Sequence, residues 1–294
     1  MTIRQSRCVN VARIFAAAVA VALPTVSLAD EKPKLPNVRF PFGEEEARKF
    51  QNDYATAVGL PKDVTNSAGM KLVLIPPGNF EMGPNGSKYR VTLSKPFYAQ
   101  STEVTLGQYR KFRAKHRIEG ADAEFNEDDR PASMVSWDDA KAFCTWLSTQ
   151  EEEKKAGRVY SLPTEAQWEW AVRAGTTTAR YFGETDKEQA KFSWFNVTYT
   201  PNPKNETKGR GRQPVGKLPA NAWGLHDTLG NVWEWCGDRH TDEGTGESRD
   251  PVMRGGSWRS GAFHCTAVAH DPGSPGTKGD NIGFRVACTA AAGK

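Results

Sequence analysis

Apolar residues recur at helical spacing between Phe42 and Leu60: Ala47, Phe50, Tyr54 and Val58 share one face, and Gly59 with Pro61 stops the run. The pattern then changes to short apolar segments. Lys71-Leu72-Val73-Leu74-Ile75 predicts a strand, Pro76 to Asn79 a turn, and Phe80 to Gly83 its continuation. Arg90 to Leu93 and Phe97 to Gln100 predict two further strands, and Val104 to Arg113 a brief helix introduced by Thr102 or Glu103. Helical periodicity returns from Ser136 to Gln150. Ser136 suits the N-cap, Asp138 and Asp139 the positive first turn, and Ala140, Phe143, Cys144 and Leu147 form the buried stripe. A capping box, Thr164 with Gln167, opens another helix that Gly175 ends. From Thr176 to Arg254 periodicity is weak, which predicts a long irregular stretch tied down by metal, disulfides or aromatic packing, or serving as a binding surface.

The first 29 residues change how charge and compartment are read. Arg4, Arg7 and Arg13 precede a short apolar core, Ile14 to Leu23, and Ser27-Leu28-Ala29 offers small residues for cleavage. This predicts a signal peptide over 1–29 and a secreted or periplasmic product without stable membrane insertion; a retained N-terminal anchor is the alternative. Removing three arginines from 39 Lys+Arg leaves 36 cations against 35 Asp+Glu, so a nucleic-acid partner is not expected. Residues 30–69 read as a lead-in with the first helix, and 70–290 as one domain, because all nine Trp fall between Trp137 and Trp258. Cys144, Cys236, Cys265 and Cys288 survive cleavage; an oxidising compartment favours disulfides, with three pairings open.

Two motifs carry most of the chemistry. Val232-Trp233-Glu234-Trp235 sets a carboxylate between two indoles. It reads either as a strand whose tryptophans face opposite ways while Glu234 bonds a buried backbone group, or as part of a hard-cation site. Arg254-Gly255-Gly256-Ser257-Trp258 reads as a strand approached closely by a ligand or by another backbone. His264 and His270 flank Cys265, with His226 and His240 nearby, so a His/Cys centre is a further alternative. Asn196-Val197-Thr198 and Asn205-Glu206-Thr207 match glycosylation sequons and add no functional weight.

Together with Leu162-Pro163-Thr164-Glu165-Ala166-Gln167-Trp168-Glu169, Gly230 to Cys236, and Asn281-Ile282-Gly283-Phe284-Arg285, these motifs resemble the formylglycine-generating enzyme (sulfatase-modifying factor) family over roughly Met70 to Ala287. The resemblance implies a single α+β domain of C-type-lectin-like fold. It implies one calcium at Asp227, the Gly230 and Val232 carbonyls and Glu234. A second calcium site is degraded: Asn196 and Val197 match its first half, but Lys208, Arg210 and Arg212 crowd the region that should supply an aspartate. Ser257 falls at the family's active-site serine. The oxidase pair that binds copper(I) falls at Ser260 and Cys265, so one thiol of two is missing and copper is not expected. A bridge between Cys144 and Cys288 resembles a family disulfide, and Cys236 could then pair with Cys265.

The expectation is therefore an exported relative that modifies or binds a peptide or other exported substrate near Ser257, Ser260 and Cys265, without copper-dependent cysteine oxidation. A non-catalytic binding module on the same fold is the second reading, since fold does not fix chemistry. Formylglycine generation with Ser260 tolerated is the third.

Overall fold

Three helices begin on reciprocal caps, and these caps fix how the chain enters each helix. The computed structural model describes residues 35–36, 38–183, 185–196, 211–241 and 248–289; the expected leader, 1–29, lies outside them. Helix α1 spans Glu44–Val58, α2 Leu106–Arg110, α3 Trp137–Ser148, α4 Glu151–Lys155 and α5 Glu165–Arg173. In α3 the Ser136 hydroxyl accepts from the Asp139 N–H and the Asp139 carboxylate takes the Ser136 N–H; Thr164 and Gln167 do the same for α5. Helix α2 starts two residues later than expected. Thr105, not Thr102 or Glu103, is the cap, because Gln108 lies three positions on and closes the box. Helix α5 ends on Ala174 in the left-handed region, one residue before Gly175.

Asp139 ties the start of α3 to the rest of the chain, with Arg113 Nη1 at 2.7 Å and Lys278 Nζ at 2.6 Å. Burial alone would raise its pKa, but the bonds from Lys278 and Ser136 and the charge of Arg113 outweigh this and hold it at about 2. A carboxylate depressed in the folded state contributes stability above its unfolded pKa and loses it as pH falls toward the folded value. Asp139→Asn is therefore expected to cost about 1–2 kcal/mol at neutral pH, the partly exposed cations moderating it. The difference between parent and variant should close between about pH 4 and 2, as read by urea unfolding across pH.

Strands β1 (Asp63–Thr65), β2 (Lys71–Ile75), β5 (Phe97–Gln100), β6 (Tyr160–Ser161) and β11 (Ala287–Thr289) make one sheet in the order β1-β2-β5-β11-β6, all neighbours antiparallel. Strands β3 (Gly78–Met82) and β4 (Tyr89–Leu93) form a hairpin. The third sheet runs β10-β7-β8-β9, from β7 (Trp233–Thr241), β8 (Ser248–Arg254), β9 (His270–Pro272) and β10 (Ile282–Gly283). Here the structure corrects the expected loop up to Arg254. From Val232 to Cys236 every residue is buried, so no in–out alternation reveals β7, and its charged member Glu234 is neutralised from across the fold.

Most of the core is one cluster to which α1 adds Ala47, Phe50 and Tyr54. The helix is pinned by polar bonds as well. Gln51 Nε2 donates to the Leu74 carbonyl at 2.7 Å and to that of Trp223 at 3.2 Å, and Trp223 Nε1 donates to the Ala47 carbonyl at 3.1 Å. A smaller cluster, which includes Trp168, Phe195, Cys236 and Cys265, lies beneath the Gly-Gly turn. Among the described residues no helix is long and apolar enough to cross a membrane.

Candidate functional site

Strand β7 delivers Glu234 into the interior, and α5 and the segment after β10 supply its partners. Arg285 Nε donates to Oε2 and Nη2 to Oε1, both at 2.6 Å, while Trp168 Nε1 donates to Oε2 at 2.7 Å. Arg285 also donates to the Gln100 and His226 carbonyls, each at 3.0 Å. Glu234 thus bonds a guanidinium and an indole, not the backbone group expected of a simple buried strand. Trp235 turns away, its Nε1 donating to the Val135 carbonyl at 3.0 Å.

Seven residues upstream, Asp227 sits in the left-handed region at φ 54°, and its Oδ2 accepts the Gly216 N–H at 2.6 Å. Its Oδ1 is buried and has no hydrogen-bond partner, and the same holds for Oε1 of Glu103. Burial raises both pKa values; for Glu103 the charges of Asp227 and Glu234 push further in the same direction. Calcium prefers six to eight oxygens, among them carboxylates and carbonyls. The expected ligand set fits only in part: Asp227 has a free oxygen, but both oxygens of Glu234 are committed to Arg285 and Trp168. Among the described residues no three His, Cys, Asp or Glu side chains converge as a ligand group, so the His/Cys alternative does not form there either. The His264 ring lies tilted against Phe263, centroids 4.0 Å apart, and the His240 side chain lies outside the described residues.

The second expected calcium region is partly outside the described residues, with Val197, Lys208 and Arg210 among those not described. Asn196 donates its N–H to the Ser260 carbonyl at 2.9 Å. Arg212 is buried, donating to the Pro131 carbonyl at 2.7 Å and that of Phe125 at 2.6 Å; burial lowers its pKa to about 10. It braces two loops instead of adding its charge to a solvent-facing cluster.

Ser257, Ser260 and Cys265 are brought together by two left-handed glycines, Gly255 (φ 91°) and Gly256 (φ 77°). Ser260 Oγ accepts the Ser257 N–H at 3.0 Å and lies 3.1 Å from Ser257 Oγ, which also accepts from the Arg259 N–H and Asn281 Nδ2. The Cys265 Sγ is 3.9 Å from the Ser257 carbonyl. The three face inward: Ser257 and Cys265 are 0% exposed and Ser260 is 8% exposed, so they do not line an open groove. A close backbone crossing, the second reading of the glycine pair, is what the turn provides, since Gly230 N–H donates to the Gly255 carbonyl at 2.8 Å.

Burial raises the Cys265 pKa to about 12, so its thiol keeps its proton at neutral pH. Cys144, Cys236 and Cys288 are also buried free thiols, and neither expected bridge is present. Cys236 and Cys265 share the small apolar cluster and Cys144 and Cys288 the large one, surroundings that suit uncharged thiols as well as a bridge. None of these four thiols is expected to react with an aromatic disulfide reagent in the native state. On denaturation without reductant these four should titrate; titration of none would mean that the bridges form.

The open face beside the turn belongs to Trp258. It lines a cavity of about 630 Å³ with Ile118, Phe125, Met134, Arg212 and Asp280. Arg259 lies over the indole at 4.7 Å and pairs with Asp280 at 2.6 Å. The indole Nε1 carries no partner, and Met134, 37% exposed, is held at φ 57°. A larger cavity of about 920 Å³, walled by α1 and residues 219–224, includes none of the expected site residues. Glu103 was expected only as a candidate helix start, and Met134 and the part of Arg285 in holding Glu234 were absent from the sequence expectations; of the latter two, only Arg285 lay within a recognised motif.

The Sulfatase-modifying factor enzyme 1-like domain matches residues 58–290. The formylglycine-generating enzyme of Mus musculus is 34% identical across an alignment of 317 positions, covering 83% of this chain and 82% of that protein. The protein named inactive C-alpha-formylglycine-generating enzyme 2 of Bos taurus is 32% identical over 170 residues, 56% of this chain and 50% of that one. Of the bovine formylglycine-generating enzyme, too, the chain spans about half the length, 47%. Among solved structures, PvdO from Pseudomonas aeruginosa superimposes with a TM-score of 0.62 at 26% identity, covering 76% of this chain and 96% of that one. With its α+β, C-type-lectin-like architecture and these matches, the chain belongs to the sulfatase-modifying factor enzyme 1-like domain family.

Proposed function

We propose that this protein is an exported member of the family that binds, and in the enzyme case modifies, a peptide or other exported substrate at the cavity beside Trp258, without copper-dependent cysteine oxidation. One observation carries this reading: where the oxidase pair falls there is a single thiol, Cys265, which is unexposed and keeps its proton, and beside it the Ser260 hydroxyl is bound to Ser257. Copper(I) needs soft thiolates, and one protonated sulfur with a hydroxyl does not supply them. The binding side is supported by the cavity itself. Its lining of Trp258, Met134, Phe125 and Ile118 suits an apolar side chain. With Ser257, Ser260 and Cys265 turned inward, the geometry favours binding over catalysis.

The test incubates the reduced protein with a cysteine-containing sulfatase-type peptide, oxygen and copper(I), and follows both binding and product. The peptide mass should remain unchanged while binding is retained, and Trp258→Ala should weaken that binding about tenfold, as expected for an aromatic anchor. Formation of formylglycine would refute the reading.

A further inference from the structure

Helix α1 and the domain enclose the cavity of about 920 Å³, a size that suits a small-molecule ligand. All of α1 but Val58 precedes the residues that match the family domain, so one wall of this cavity comes from outside that match. The walls are fixed by bonds of their own. Gln51 and Trp223 lock α1 to β2 and to residues 219–224. Asn221 Nδ2 donates to the Ala171 and Val172 carbonyls at 2.8 and 3.0 Å, and its Oδ1 accepts the Trp223 and Leu225 N–H groups, each at 3.1 Å. A cavity braced in this way is preformed, so an entering ligand does not have to order its walls.

The lining has two chemically different ends, joined by residues 219–224. At one end Tyr181 Oη donates to the Pro219 carbonyl at 3.1 Å. Beside it Phe182 and Phe192 stack with centroids 4.6 Å apart and planes 9° apart, and the Tyr181 ring stands edge-on to both. All three rings line the cavity and are only partly buried, which leaves flat apolar surface for a ligand to cover. At the other end Gly224 lies against Val73 of β2, and the neighbouring Leu74 N–H donates to the Lys62 carbonyl at 2.8 Å. The charges of the lining do not cancel. Lys71 has Asp63 at 3.8 Å, Arg48 has Glu44 and Arg173 has Glu169, but the exposed Lys62 ammonium has no anionic partner among the described residues.

We propose that this cavity is a second binding site, separate from the one beside Trp258, and that it takes a small, elongated aromatic monoanion. The ligand's rings lie against Tyr181, Phe182 and Phe192, and its single negative group points to Lys62. A neutral aromatic would leave the lysine unmatched, and a cation would meet a lining of the same sign. A polyphosphate carries more charge than one free lysine answers. The reading follows from the separation of the two ends, since the ring surface and the spare cation lie at opposite ends of the 219–224 segment.

The experiment titrates the folded full chain with toluidinyl-naphthalene sulfonate and follows its fluorescence, then displaces it with biphenyl carboxylate or with the uncharged biphenyl methanol. The parent should bind the probe, and the carboxylate should displace it at a concentration at least about fivefold lower than the alcohol. Phe192→Ala and Lys62→Glu should each weaken probe binding by about fivefold or more, the first through lost ring contact and the second through reversed charge. Trp258→Ala should leave it within about twofold, because that indole belongs to the other cavity. If Phe192→Ala does not fold, the surface change Lys62→Glu and the displacement pair decide. No binding by the parent would overturn the proposal, as would equal displacement by acid and alcohol, binding unchanged in Lys62→Glu, or a loss confined to Trp258→Ala. The last result would place the probe beside Trp258, so failure here is distinct from failure of the peptide site.

Discussion

Replacing Glu169 by Gln should be among the most destabilising single changes in this chain, costing about 3–5 kcal/mol in urea unfolding. Glu169 is unexposed within α5, and both its oxygens are in use. Oε1 accepts from Arg173 Nε at 2.9 Å and from the Gly83 N–H at 3.1 Å, and Oε2 accepts from Arg254. Arg173 and Arg254 are each 1% exposed, so the isosteric amide leaves two buried guanidiniums without their shared anion. Glu165, at 3.2 Å from Arg254 but 26% exposed, answers only part of that loss. Glu165→Gln should accordingly cost under about 1 kcal/mol. Because Arg254 leads directly into Gly255 and Gly256, Glu169→Gln should also speed reaction of Cys265 with a thiol reagent. A cost below about 1 kcal/mol with no change in thiol reactivity would mean that Arg254 is not held by this anion.

The parts of the fold that could be read from sequence are those governed by local rules. Ser136 and the Thr164–Gln167 pair announced α3 and α5, because a cap and its partner lie three residues apart. Lys71 to Ile75 announced β2 by an apolar run, and Ala47, Phe50 and Tyr54 announced the face of α1 by period. What stayed hidden was decided across the chain. The first half of β7, Trp233 to Cys236, is buried on both sides, so it lacks alternation, and Glu234 is tolerated there only because Arg285 reaches it from 51 residues away. No local pattern ties those two positions together. Within the site, the sequence placed Ser257, Ser260 and Cys265 near one another but could not say which way they face. Inward orientation follows from two consecutive glycines at positive φ, a turn that sequence can suggest but not aim.

Gly256→Ala tests that turn directly and should cost about 2–5 kcal/mol, the sum of left-handed strain on an alanine and overpacking. At Gly256 (φ 77°) a Cβ would lie 2.7 Å from the Cys265 Sγ and 2.8 Å from the His264 carbonyl oxygen. Pairing the change with Cys265→Ala separates the two obstacles, because the sulfur is removed while the carbonyl stays. The double variant should be more stable than the sum of the single costs by about 1 kcal/mol, a coupling within reach of a double-mutant cycle. Strict additivity, or a Gly256→Ala cost under about 1 kcal/mol, would show that the backbone relaxes and that the thiol is not packed against it. If the coupling appears, it bears on chemistry as well as stability. A sulfur that occupies the space of a missing Cβ cannot turn toward a substrate unless the Gly255-Gly256 turn opens. Restoring a second cysteine by Ser260→Cys should then leave the native chain without a copper-binding thiolate pair, read by titration with copper(I) against a competing chelator.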